Sequence, residues 1–188
     1  MLLVDLEAVG RDASDWDEPG QSVRARFRAA GYRAQELWAL SYNGGGGNPL
    51  TACRTDNARN VPGLAAFLQA VLAYTGAPRV DVVAHSLGVT LTRATLRAHP
   101  ALAGRVRAFV AIAGPNHGTP LCVSLSGWQV SCGELAPGSP FLRELNGPEG
   151  AGVLLLPRIG HDALRVTEAA VAGYLAFLQG RGGGERGP

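Results

Sequence analysis

The sequence predicts an α/β fold, a mostly parallel sheet covered by helices on both faces. Three observations carry that expectation. Short apolar runs alternate along the chain with longer amphipathic helical patterns. One of those runs, Val80-Asp81-Val82-Val83, is rich enough in β-branched residues for a strand buried on both faces, as parallel strands are. A tight turn of small residues, Ala84-His85-Ser86-Leu87-Gly88, then leads from that strand straight into a helical pattern.

The elements follow in order. Residues 1–4 read as a strand, and Asp5 to Gly20 as a polar loop holding Asp12, Asp15, Trp16 and Asp17. Gln21 to Ala30 is expected as a helix with Val23 and Phe27 on one face, stopped by Gly31. Glu36 to Tyr42 reads as the next strand, and Asn43 to Asn48, with four consecutive glycines, as a flexible loop on the substrate side. No Gly-Lys-Ser/Thr follows those glycines, which excludes a phosphate-binding P-loop. Asn60 to Tyr74 is a helix with Pro62 in its first turn, a stripe of Leu64, Phe67, Leu68, Val71 and Leu72, and Gly76 at its end.

Beyond the central turn, Gly88 to Ala98 is helical and stops before Pro100, and Arg107 to Ala113 is another apolar strand. Gly114 to Pro120 then reads as a loop, Phe141 to Leu145 as a short helix, Gly152 to Leu156 as the last strand and Pro157 to Asp162 as a loop. Thr167 caps a closing helix that turns Val171, Tyr174, Leu175 and Leu178 inward. Residues 1–180 are expected to form one domain and 181–188 a flexible glycine-rich tail.

A net charge of +2 gives no reason to expect a nucleic-acid partner. All 17 basic residues are Arg, so Schiff-base chemistry and a Ser-Lys dyad are excluded. No run approaches membrane-spanning length, and the chain opens directly on a core strand, so an export leader is expected to have preceded it. Cys122 and Cys132 bracket a loop-like segment. A disulfide there would stabilise by ~2–3 kcal/mol in the chain-entropy model; two reduced thiols are the alternative, and Cys53 is left over.

Strand, sharp turn with a serine, then helix is the arrangement of a nucleophile elbow, here with alanine in the first glycine position. The small residues two places either side of Ser86 are what so tight a turn requires. Ser86 is the candidate nucleophile, and a serine needs a base to take its proton. Of four histidines, His161 lies after the last strand and before the closing helix, where the order Ser, acid, His places the base. His117 is the other loop candidate, while His85 adjoins the serine and His99 ends the helix behind it.

Glu134, Glu144 and Glu149 are the only carboxylates between Ser86 and His161. The helix at 141–145 is expected to descend toward the amino end of the sheet, which leaves Glu134 as the candidate acid. The backbone N–H groups of Leu87 and of Leu6, in the loop after the first strand, are the expected oxyanion donors. His85, Asn43 and Asn116 are the expected substrate-side contacts.

With Ala84-His85-Ser86-Leu87-Gly88, the strand and glycine loop at 37–47, Gly114 to Pro120 and Gly160-His161-Asp162, the chain resembles compact bacterial lipases and esterases of the α/β-hydrolase superfamily, the class 2 lipase type, and the related polyhydroxyalkanoate depolymerases. The resemblance implies a minimal α/β-hydrolase with little or no lid. It also implies hydrolysis of carboxylic esters through an acyl-enzyme on Ser86, no cofactor and no metal. A secreted monomer, meeting ester substrates and touching lipid surfaces transiently, is expected on the same ground.

Two segments depart from the family pattern. Asp5-Leu6-Glu7 stands where His-Gly usually frames the oxyanion hole. Only Asn146 to Ala151 separate the helix at 141–145 from the final strand, where the family has a strand carrying its catalytic Asp. The alternative is therefore a catalytically impaired hydrolase-fold protein that binds acyl ligands or partners.

Overall fold

The computed structural model describes residues 2–4, 13–17, 19–42, 56–120, 122–123, 130–147 and 166–180. Strands β1 (Leu2–Val4), β2 (Trp38–Leu40), β3 (Val80–His85) and β4 (Val106–Ile112) form one parallel sheet in the order β2-β1-β3-β4. Leu2 sits between Trp38 and Val82, and Val82 faces Phe109, with an irregularity between Val80 and Asp81. β3 is central, and every one of its residues is buried. That is why its sequence is an almost unbroken apolar run.

Alternation along β3 divides the core into two. Val80, Val82 and Ala84 join the cluster built by α2 (Asn57–Thr75) and α3 (Leu87–Ala98), through Leu64, Leu68, Val71, Leu72, Val89 and Leu91. Val83, on the opposite face, joins Val23 and Phe27 of α1 (Val23–Ala29) and Val171, Tyr174 and Leu178 of α7 (Glu168–Leu178). Phe27 stacks on Tyr174 with ring centroids 5.8 Å apart and meets Tyr32 edge-on at 5.2 Å. Helices thus cover both faces of the sheet.

Several boundaries differ from the sequence expectation for identifiable reasons. Ser22 Oγ accepts from the Ala25 amide at 2.9 Å, so α1 starts at Val23 rather than Gln21. Asp56 does the same for α2, accepting from Arg59 N at 2.8 Å, which moves the start three residues ahead of Asn60 and leaves Pro62 inside the helix. The loop before α1 contains a 3-10 turn, Ala13–Asp17, which buries Trp16 to 1% exposure.

Behind α3 the chain forms α4 (Pro100–Ala103) with Pro100 in its first turn, a position where proline's missing N–H costs nothing. Two short helices, α5 (Val130–Leu135) and α6 (Pro140–Asn146), follow β4. The expected strand at 152–156 and the tail at 181–188 lie outside the described residues.

Candidate active site

β3 ends at His85 and α3 begins at Leu87, so a single residue makes the whole turn. That residue, Ser86, has φ 54° and ψ −123°. A side-chain-bearing residue pays about 1–3 kcal/mol for such a conformation and keeps it only where the surroundings impose it. They do so here: Ser86 N donates to Ile112 O at 2.9 Å, and Ser86 O accepts from Val89 N at 3.0 Å. The serine is thereby tied to the ends of both β4 and α3. It is 6% exposed, at the positive end of a twelve-residue helix. Leu87 is the first residue of that helix, where the ladder supplies no acceptor for its amide.

The next strand repeats the device. Ala113, directly after β4, has φ 50°. Two non-glycine residues are therefore held in the left-handed region at the carboxyl ends of adjacent strands. The chain leaving Ala113 runs against α3. A Cβ on Gly114 would lie 2.4 Å from Val89 Cγ1 and 2.6 Å from Val89 Cβ, so only glycine lets the loop approach the helix this closely.

Asn116, an expected substrate-side residue, is held on two sides. Its Oδ1 accepts from Arg93 Nη1 at 2.8 Å, and its carbonyl accepts from Asn146 Nδ2 at 2.7 Å. This corrects the expected course of α6, which ends against the loop beyond β4 and does not carry the chain to the amino end of the sheet. Sequence alone does not single out Arg93, because Arg97, one turn further along, puts a second cation on the same face of α3. Burial pushes its guanidinium pKa down.

Of the histidines, His85 is 2% exposed, whereas His117 is exposed in the loop beyond β4. His161, Leu6 and Asn43, expected as base, oxyanion donor and substrate contact, lie outside the described residues.

Glu134, the candidate acid, is on α5 and reaches the start of α2. Its Oε2 accepts from Asn57 N at 2.6 Å and its Oε1 from Ala58 N at 3.4 Å. The carboxylate thus satisfies amides that the helix itself leaves unpaired. Burial raises its pKa above the usual carboxylate value, partly offset by those two amide bonds.

Cys122 and Cys132 form a disulfide that closes the chain between Pro120 and α5, as one of the two sequence alternatives expected. Both are buried against the α2–α3 cluster. Thr119 N donates to Leu135 O at 2.9 Å across the same junction. Among the described residues, no group of three or more His, Cys, Asp and Glu could hold a metal ion.

The family described as Lipase (class 2) matches residues 10–151. No curated protein matches the sequence. Among solved structures, the mature lipase BlEst2 of Bacillus licheniformis is similar at TM-score 0.57 and 18% identity, over 77% of this chain and 57% of that one. Aspergillus fumigatus lipase B is similar at TM-score 0.58 and 18% identity, over 90% of this chain and 42% of that one. Legionella pneumophila phospholipase PlaB is similar at TM-score 0.56 and 10% identity, over 78% and 35%.

This chain therefore matches 57% or less of the length of these relatives. The likeness shows an α/β-hydrolase fold. The elbow, its parallel sheet and the extent of the family match together place the chain in the class 2 lipase family.

Proposed function

We propose that the chain is a serine carboxylic-ester hydrolase. Ser86 attacks the acyl carbon, His161 takes and returns the proton, and the amides of Leu87 and Leu6 bind the developing oxyanion. The observation that carries this reading is the backbone of Ser86: a strained serine between a wholly buried strand and a helix N-terminus. Such strain serves no packing purpose that a glycine would not serve better. The substrate is an apolar acyl ester, lipid or polyester, as family membership suggests. The disulfide supports an extracellular or otherwise oxidising setting.

A second reading, a hydrolase-fold protein that binds acyl ligands without turning them over, is favoured by one observation. The carboxylate of Glu134 is committed to the amides of α2. It orients an imidazole only by leaving them.

Hydrolysis of short- and medium-chain p-nitrophenyl esters by wild type and Ser86→Ala separates the two, alongside labelling by a serine-directed phosphonate. The proposal expects wild type to be labelled and active, and Ser86→Ala to lose about three or more orders of magnitude in kcat. Equal activity of the two proteins would remove Ser86 from the reaction. Absence of both labelling and turnover would favour the binding protein.

A further inference from the structure

The chain segment beside the serine is held in place by a side chain that belongs to neither the nucleophile nor its expected partners. Ile112 O anchors the amide of Ser86, so whatever follows Ile112 must pass next to the elbow. It passes through Ala113 at φ 50°, packs Gly114 on Val89, and reaches Asn116, whose N–H turns back to Gly114 O at 2.8 Å. A path with a strained alanine at its start reverts to an easier one unless something fixes it further along.

Arg93 and Asn146 do the fixing. Arg93 lies seven residues beyond Ser86 on the same helix. One arm of its guanidinium donates to Asn116 Oδ1 at 2.8 Å, and the other points at Leu145 O, 3.5 Å away, on the last turn of α6. Asn146 then donates to the carbonyl of Asn116. One fork therefore joins three elements: the helix that carries the serine, the loop beyond β4, and α6. Among the described residues its hydrogen-bond partners are an amide oxygen and a carbonyl, not a carboxylate, so neutral groups there meet the desolvation of its charge. A surface ion pair would be a cheaper use of an arginine. What this placement provides is geometry, two parallel donors at a fixed spacing.

We propose that Arg93 is a positioning residue, which acts through Asn116 to fix the 114–118 loop as the wall of the acyl-binding side next to Ser86. The proposal rests on the reading of Ser86 as nucleophile for its kinetic consequence, but not for its structural one. Two measurements keep these apart. Amide hydrogen exchange of the 114–118 segment reads the positioning whether or not the protein is an esterase. Steady-state kinetics on a p-nitrophenyl ester series reads its use.

In Arg93→Gln, exchange across 114–118 accelerates about tenfold or more while the β3 amides keep their protection. KM for medium-chain esters rises about tenfold, with kcat within about a factor of two, because the wall contributes binding equally to ground and transition state. Arg93→Lys, with a single point donor, restores less than half of the lost protection. Arg93→Gln combined with Asn116→Ala is no worse in KM than the more damaging single variant, because both remove the same link.

Unchanged exchange in Arg93→Gln overturns the proposal, as does a lower melting temperature with KM unaltered, or single-variant effects that multiply. Accelerated exchange in a protein whose turnover survives Ser86→Ala upholds the clamp and sinks the nucleophile reading instead.

Discussion

Single residues decide what this site can do, and Glu134 is the sharpest case. Its sequence position made it the candidate acid; its carboxylate instead caps a helix that begins 77 positions earlier. If it orients the base, Glu134→Gln costs about four orders of magnitude in turnover, as removal of a triad acid does. The geometry predicts less than about a tenfold loss, measured on the same p-nitrophenyl esters.

The substitution has a stability signature as well. The folded pKa is raised, so protonation favours the folded state, and Glu134's favourable contribution is lost as pH rises through that value. The melting temperature of Glu134→Gln relative to wild type should therefore increase as pH rises above the ordinary carboxylate value. A difference that does not change with pH would show that the carboxyl titrates alike in the two states. Gly114 makes a steric case at the same scale. An alanine there meets Val89 Cβ itself, which no rotamer moves, so Gly114→Ala should cost about 1–3 kcal/mol by denaturant unfolding.

At the scale of elements, the disulfide holds α5 to the loop beyond β4, and α5 in turn carries the cap of α2. Cys122→Ser with Cys132→Ser should lower stability by about 2–3 kcal/mol on chain-entropy grounds. It should also raise amide exchange at the first turn of α2, whose Asn57 and Ala58 amides Glu134 holds. Protection there that survives the loss of the disulfide would mean that Glu134 docks without it.

The same scale shows what the sequence could express. β3, the elbow and α3 were legible because their signals are local: a β-branched run, small residues around a serine, and an immediate change to helical periodicity. The start of α2 lies three residues ahead of the sequence expectation because Asp56, not the residue before Asn60, supplies its cap. Arg93 was illegible in a deeper sense. Nothing near it in sequence says that Asn116 and Leu145, 23 and 52 positions away, supply its acceptors. The partners of Glu134 are illegible for the same reason, since loop topology brings it to the active side without revealing that the amides of Asn57 and Ala58 meet it there.

For the whole molecule, the question is whether the two cores melt as one. The face that carries α2 and α3 builds the serine site, while α1 and α7 close the other face far from it. Three contacts tie α7 and its C-cap into that second core: Tyr174 stacks on Phe27, Gln179 Nε2 donates to Ala30 O at 3.1 Å, and Arg107, which also pairs with buried Asp81, donates to Leu178 O at 3.3 Å. Asp81 belongs to β3, the strand both cores share, so α7 is coupled through Arg107 to the strand that ends in the elbow.

Tyr174→Ala should cost about 3–4 kcal/mol, from the lost ring burial and stacking. Its effect should not stay on its own face. Trp16, buried beside Phe27, and Trp38, packed against the opposite cluster, report the two faces separately when the other tryptophans are replaced by phenylalanine. With β3 fully buried between them, loss of one face exposes the strand that the other needs, so both signals should shift to the same lower midpoint in urea. A Trp38 transition left in place while that of Trp16 moves would show that the serine-bearing face is stable alone, and that α7 is an attachment rather than part of the site's foundation.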